Sequence, residues 1–216
     1  MADQEGVIKF QLAHHFSPPL PPDQLGELIA WRRILYQLQL LGEDPLRYDG
    51  YGFGNISRRV PSINENASRP FIITGTQTGS FPELGPEHFT TVTGCFPERN
   101  RVTSTGPIKP SSEAMTHATL YRIEPGLSVV MHVHSPHIWR AAAQLGLPRT
   151  PATAAYGTTA MADAVADIMT QSLTRKVGLF VMGGHEDGVV SFGRTAEHAG
   201  IALIGILARA YQIVPA

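Results

Sequence analysis

Apolar residues form one stripe at helical spacing between positions 25 and 41: Leu25, Leu28, Ile29, Ile34, Leu35, Leu38 and Leu41. The stripe predicts an amphipathic helix, with Asp23 placed to cap it and Gly42 to end it. Ahead of it, Ser17-Pro18-Pro19-Leu20-Pro21-Pro22 is too rich in proline for helix, so residues 1–22 read as an extended arm. The pattern then turns β-like. Tyr51 to Ser57 and Pro70 to Thr74 read as strands, the second running into a loop, Gly75-Thr76-Gln77-Thr78-Gly79. Phe89 to Phe96 and Arg101 to Ser104 are predicted to pair through the turn Pro97-Glu98-Arg99-Asn100. A second helix begins at Pro110-Ser111-Ser112-Glu113 and runs to about Arg122, where Pro125-Gly126 breaks it. Strand Leu127 to His132 follows, then a helix from near Pro136 to before Gly146 and another over Ala160 to Leu173. Strands Val177 to Met182 and Val189 to Phe192 flank the loop Gly183-Gly184-His185-Glu186-Asp187-Gly188, and Thr195 opens a last helix to about Tyr211. Strands interleaved with helices predict an α/β layered domain on a mixed sheet, occupying residues 23–216 as one unit.

Composition narrows the class. The chain has 216 residues and 43% apolar content, enough for one substantial core. Charged residues are only 16%, below the roughly 25% typical of soluble proteins, which fits surface hidden in subunit contacts. A net charge of −1 gives no reason to expect nucleic acid or an anionic membrane as partner. Cys95 is the single cysteine, so no intrachain disulfide forms; beside Gly94 and Phe96 it reads as a packing residue in a reducing compartment. The acidic start Met1-Ala2-Asp3-Gln4-Glu5 leads into no signal-type apolar core, and no run of about 18 uncharged apolar residues occurs. These features point to a soluble, cytoplasmic protein.

Candidate chemistry centres on His132-Val133-His134. In a strand, residues i and i+2 project to one face, so two imidazoles stand side by side at a strand end. That is the geometry a divalent transition metal asks of paired nitrogen ligands; the other reading is a half-buried strand end with hydrogen-bonded rings. His185, in a glycine-bounded loop after another apolar strand, is a third candidate, and three histidines leave a coordination position open to substrate. His14, His15, His88 and His198 have no such context and read as surface residues. Ser111-Ser112-Glu113 has the form of a helix N-terminus, where hydroxyls and a carboxylate satisfy orphan N–H groups. The same groups form a ready phosphate site, with Glu113 placed to exchange protons. Gly54-Asn55-Ile56-Ser57 and Thr76-Gln77-Thr78-Gly79 are turn segments whose N–H groups suit an anion.

Taken in order, these segments resemble the class II aldolase/adducin family, over roughly residues 23–212. The matching stretches are Gly54-Asn55-Ile56-Ser57, Ile73-Thr74 through Thr78-Gly79, Pro110 to Glu113, Val130 to His137, and Gly184-His185 with Gly188-Val189-Val190. The family includes sugar-phosphate aldolases, an epimerase, a dehydratase and the non-catalytic head of adducin. The resemblance implies a three-layer α/β/α sandwich with a central mixed, mainly antiparallel sheet. It also implies a homo-oligomer, usually a tetramer, with sites at subunit borders. It implies a divalent metal, zinc first and manganese or cobalt as alternatives, held at His132, His134 and His185. Glu113 then matches the acid/base carboxylate, and Asn55, Gly79, Ser111 and Ser112 match phosphate-binding positions. The implied activity is a metal-dependent aldehyde-lyase acting on a small hydroxy-carbonyl compound such as a sugar phosphate. Epimerisation or dehydration on the same metal, and an adducin-like assembly role, remain the alternatives. Adducin heads lack the metal histidines, which this chain keeps. Two departures stand out. Between Leu147-Pro148 and Gly157-Thr158 only Arg149 to Tyr156 remains, so the family's donor tyrosine has no obvious counterpart, and Tyr156 is the one substitute on offer. Glu186-Asp187 is an insertion after His185; it reads as solvated, with hydrogen bonds to a ligand imidazole as the other reading.

Overall fold

Period-two alternation of apolar residues builds the centre of the molecule. The structure, a computed structural model, describes residues 6–60 and 70–214. Eight strands form one sheet: β1 (Gln11–Phe16), β2 (Asn55–Arg59), β3 (Phe71–Thr74), β4 (Phe89–Phe96), β5 (Arg101–Gly106), β6 (Val129–His134), β7 (Leu179–Val181) and β8 (Gly188–Gly193). Their order is β1-β5-β4-β3-β2-β6-β8-β7, and every pairing is antiparallel except the parallel β1–β5 edge. The β4–β5 hairpin turns at Pro97–Asn100 as expected, with Asn100 left-handed at φ 47°. Gln11–Phe16 falls within the segment read as an arm; it pairs along its length with Arg101–Gly106.

Helices cover both faces. The helices are α1 (Gly26–Gln37), α2 (Ala114–Ile123), α3 (Pro136–Ala141), α4 (Thr159–Thr170), α5 (Ser172–Val177) and α6 (Ala196–Tyr211). Leu28 and Leu35 of α1, Ile138 of α3 and Leu203 of α6 pack with Val129, Met131 and Val133 on one face. Met115 and Leu120 of α2 and Val165 and Met169 of α4 pack with Val130, Val190 and Phe192 on the other. The result is the expected α/β/α sandwich. Each large apolar side chain taken fully out of water contributes about 1.5–3 kcal/mol, which is what holds these layers.

Of the boundaries that differ from the pattern, two bear on the strands around the histidines. The first helix ends at Gln37, although Leu38 and Leu41 continue its stripe. Gln39 turns left-handed (φ 56°), Leu40 N–H bonds the Leu35 carbonyl, and buried Leu40 then accepts from the His134 backbone N–H at 2.8 Å. The turn thus serves the strand that carries the histidines. Residues 172–177 form α5 where the pattern placed the end of one helix and the start of a strand. Gln171 is extended and breaks α4, and Gly178, at φ 70°, ends α5. Strand β7 is left with three residues.

Candidate metal centre

Strand parity sets the site. Val129, Met131 and Val133 face α1, α3 and α6, so His132 and His134 face the α2–α4 layer with Val130. In register, His132 lies opposite Asn55 on β2 and Val190 on β8, and His134 lies opposite Gly188. Glycine is required there: a Cβ on Gly188 would stand 2.8 Å from His185 Cδ2. The loop between β7 and β8 therefore folds His185 directly over the pair.

The three rings converge through their Nε2 atoms. His134 Nε2 lies 3.2 Å from His132 Nε2 and 3.1 Å from His185 Nε2, and ligand atoms of all three fall within 4.8 Å of one another. His132 and His134 are fully buried and His185 is 6% exposed. Burial drives all three below the ordinary histidine range, His132 to about 4, and neighbouring charges lower His134 and His185 further. They are neutral at physiological pH, the form that ligates metal. A neutral imidazole Nε2 carries either one proton or one lone pair. A proton on His134 Nε2 serves one of its two close contacts, and a cation in the middle serves all three rings. Nitrogens at roughly 2.0–2.1 Å from a tetrahedral zinc lie about 3.3 Å apart, close to the spacing seen. The cluster therefore has the donor set and spacing to bind a divalent metal.

Aromatic rings wall it in. Tyr48 meets His134 edge-on at 4.6 Å between centroids, Phe53 lies 5.3 Å from the same ring, and Tyr156 lies 4.5 Å from His185. The Tyr48 hydroxyl donates to Asp187 Oδ2 at 2.7 Å, Arg47 bonds the same oxygen at 3.2 Å, and Arg47 also donates to the Tyr48 hydroxyl. Asp187 is thus 5% exposed and locked to the wall beside His134, which corrects the solvated reading for this residue; Glu186 stays exposed. Tyr48, Asp49 and Asp187 all have positive φ (53°, 55° and 59°), a cost commonly met at functional sites. No apolar pattern marks Arg47 or Tyr48, and sequence reasoning missed both.

Glu113 precedes the first turn of α2 and is 1% exposed. Burial pushes its carboxyl up to about 7, against the opposing pull of the Thr116 hydroxyl and the Lys9 charge. Asn55, Gly79, Ser111 and Ser112 line one small cavity, together with Gly6, Thr76 and Gln77. The loop side of this cradle hangs on Arg32, a 2%-exposed guanidinium that donates to the carbonyls of Thr78, Gly79 and Pro82. The α2 side is tied in by the Ser111 N–H to the Thr74 carbonyl. Asn55 Oδ1 is buried without a hydrogen-bond partner. His117, one turn into α2, is a core histidine bonded to Ser57 Oγ at 2.7 Å. Cys95 is partly buried, and its thiol is pushed up to about 11, which keeps it unreactive.

A sequence model of the Class II Aldolase and Adducin N-terminal domain family matches residues 44–213. The chain belongs to that family. Solved class II aldolases share the fold at low identity. An L-fuculose 1-phosphate aldolase aligns at TM-score 0.64 and 18% identity, over 90% of this chain and 86% of its own. A sugar-phosphate aldolase from Thermotoga maritima aligns at TM-score 0.62 and 15% identity, over 88% and 93%. No curated protein matches at the level of sequence. Among the described residues, no helix is long and apolar enough to cross a membrane.

Buried neutral imidazoles have a measurable consequence. His117, His132, His134 and His185 all titrate lower in the folded chain than the ordinary 6.5, so the unfolded state takes up more protons as pH falls. Each then costs up to roughly 1.4 kcal/mol of stability per pH unit below about 6.5. Glu113 acts oppositely: raised from 4.5 to about 7, it binds an extra proton in the folded state between those values. It offsets about one of the four. Chelator-treated protein is expected to lose stability steeply from pH 6.5 to 5 in denaturant titrations, and a flat profile contradicts it.

Proposed function

We propose that the chain is a metal-dependent lyase of the class II aldolase type, cleaving a carbon–carbon bond in a small hydroxy-carbonyl compound. The observation that carries this reading is the convergence of three buried, neutral Nε2 atoms within the class II aldolase fold. His132, His134 and His185 hold the divalent cation, with zinc favoured by an all-nitrogen donor set. When bound, that cation supplies a Lewis acid able to polarise a carbonyl oxygen. Glu113 moves the proton: a carboxyl held near pH 7 gives and takes it at working pH. Asn55, Gly79, Ser111 and Ser112 orient the far end of the substrate through their hydroxyl, amide and N–H donors. Tyr48, Phe53 and Tyr156 exclude water around the imidazoles. The assembly is a homo-oligomer of cytoplasmic type, in keeping with the low charge content.

One feature favours a second reading on the same residues. Only residues 149–156 lie between Pro148 and Gly157, and their one tyrosine, Tyr156, is 1% exposed and packed on His185. A site lacking an external tyrosine donor suits epimerisation or dehydration. The test is metal analysis after loading with zinc, manganese or cobalt, followed by product analysis on a panel of ketoses and their phosphates. One metal per chain and retro-aldol fragments are expected. Epimerised or dehydrated products select the second reading, and a chain that retains no metal rejects both.

A further inference from the structure

Gly6, ahead of β1, forms part of the wall of the cradle that Asn55, Gly79, Ser111 and Ser112 line. The chain behind it is anchored. Phe10 is 5% exposed and packs in the core with Phe71, Ile73 and Val102, and Ile8 packs against the same cluster. Asn100, left-handed at the β4–β5 turn, ties the backbone: its Nδ2 donates to the Lys9 carbonyl at 3.1 Å, and its carbonyl accepts from the Gln11 N–H at 2.8 Å. At the tip, the Gly6 carbonyl accepts from the Thr76 hydroxyl at 3.4 Å. Gly6 has φ 72°, a left-handed position that favours glycine, and a Cβ on it would stand 1.8 Å from Gln77 Nε2. Glycine thus lets the backbone itself reach the turn at Thr76 and Gln77.

The opposite walls are fixed. A Cβ on Gly79 would stand 2.6 Å from the Gly42 carbonyl oxygen and 2.7 Å from the Phe53 nitrogen, so backbone packs on backbone there. Thr78 Oγ1 donates to the Gly75 carbonyl at 2.8 Å, and the Thr76 N–H to the Lys109 carbonyl at 3.0 Å. Between these walls and Gly6 the cavity is about 10 Å³. That is room for about one water or one hydroxyl, and a phosphoryl group with its oxygens does not fit. The lining is neutral as well: none of the described residues around the cavity carries a charge. Asn55 keeps its Oδ1 buried without a hydrogen-bond partner. That acceptor calls for an O–H donor, which a hydroxyl supplies and a phosphate dianion lacks. Residue 6 lies ahead of the stretch matched by the family model, 44–213.

We propose that Gly6 sets specificity by closing the cradle to phosphate, and that the substrate is an unphosphorylated hydroxy-carbonyl compound whose far hydroxyl takes the remaining space. This rests on the reading above of Asn55, Gly79, Ser111 and Ser112 as the residues that orient the substrate's far end. With Gly6 in place, the Ser111 and Ser112 hydroxyls and the Asn55 amide meet one hydroxyl group. Each of these partners can both donate and accept, so a neutral hydroxyl is satisfied without a counter-ion. The backbone anchors at Phe10 and Asn100 make the wall a standing part of the site.

The test titrates the full chain with inorganic phosphate by calorimetry, metal-free and again after zinc loading, and compares turnover of ketoses with that of their 1-phosphates. The metal-free parent is expected to bind phosphate no tighter than about 10 mM. The zinc-loaded parent should favour the free ketose by about ten-fold or more in kcat/KM. Gly6→Val puts a β-branched side chain at a left-handed position and should push the segment off the cradle. Gln77→Gly suits the φ of 58° at residue 77, so it keeps the fold, and it removes the side chain that meets Gly6. Each variant should tighten phosphate about ten-fold or more and narrow the preference for the free ketose. The proposal is overturned if the metal-free parent binds phosphate in the micromolar range, if the phosphorylated ketose is preferred, or if both variants leave phosphate affinity unchanged. A chain that takes up no zinc removes the metal reading, and the metal-free titration still decides whether Gly6 closes the cradle.

Discussion

Replacing His134 with alanine is expected to abolish stoichiometric metal binding and, with it, activity. His134 is the middle of the cluster, 3.1–3.2 Å from both other Nε2 atoms, while the rings of His132 and His185 stack at 5.2 Å between centroids. Two remaining nitrogens are one short of the three protein ligands a catalytic zinc site uses. The consequence is readable without any substrate. A metal that binds only the folded state adds about 4 kcal/mol at a thousand times its dissociation constant. In a chain of this size that amounts to roughly 8–16 °C in melting temperature. The unaltered chain should show this rise on adding zinc, and His134→Ala should show almost none. An equal rise in both would remove His134 from the ligand set. Substitution of Tyr48 by phenylalanine makes a graded companion, since it keeps the ring against His134 and removes only the bond to Asp187. Loss of such an outer partner typically weakens metal binding by about ten- to a hundred-fold.

The histidine pair was legible because period-two geometry needs only sequence: Val130, His132 and His134 share a face whatever the sheet looks like. The hairpin at Pro97–Asn100 and the layered architecture were legible for similar reasons, local turn chemistry and alternating apolar runs. The rest of the site depends on contacts distant in sequence. Arg47 and Tyr48 reach Asp187 across some 140 positions, in loops with positive φ and no apolar period. Asp187 read as solvated because an inserted Glu-Asp pair carries no sign of the phenol and guanidinium that bury it. Gly6, a wall of the cradle, was hidden within a segment read only as an arm. The missed end of α1 has the same origin. Leu38 and Leu41 continue the helical stripe, yet Leu40 is worth more as a backbone acceptor beneath His134 than as another helical turn.

Glu113→Gln is expected to cost about a hundred- to ten-thousand-fold in kcat/KM, the usual contribution of a positioned acid or base, while metal content stays at that of the parent. The parent's pH profile should carry a limb near 7, where this buried carboxyl titrates, and the variant should lose that limb. Stability should move the other way. The folded-state value of about 7 lies above the ordinary 4.5, so this group destabilises the fold as pH rises through that window, by about 3 kcal/mol at pH 8. Glutamine keeps the shape and carries no charge to desolvate, so the variant should melt at or above the parent at pH 8 and lose that advantage near pH 5. A carboxylate that served only to hold the start of α2 would behave differently. Its removal would lower the melting temperature and leave the pH profile in place. Lost activity with retained metal and raised stability at pH 8 is the pattern of a group kept for chemistry at the expense of the fold.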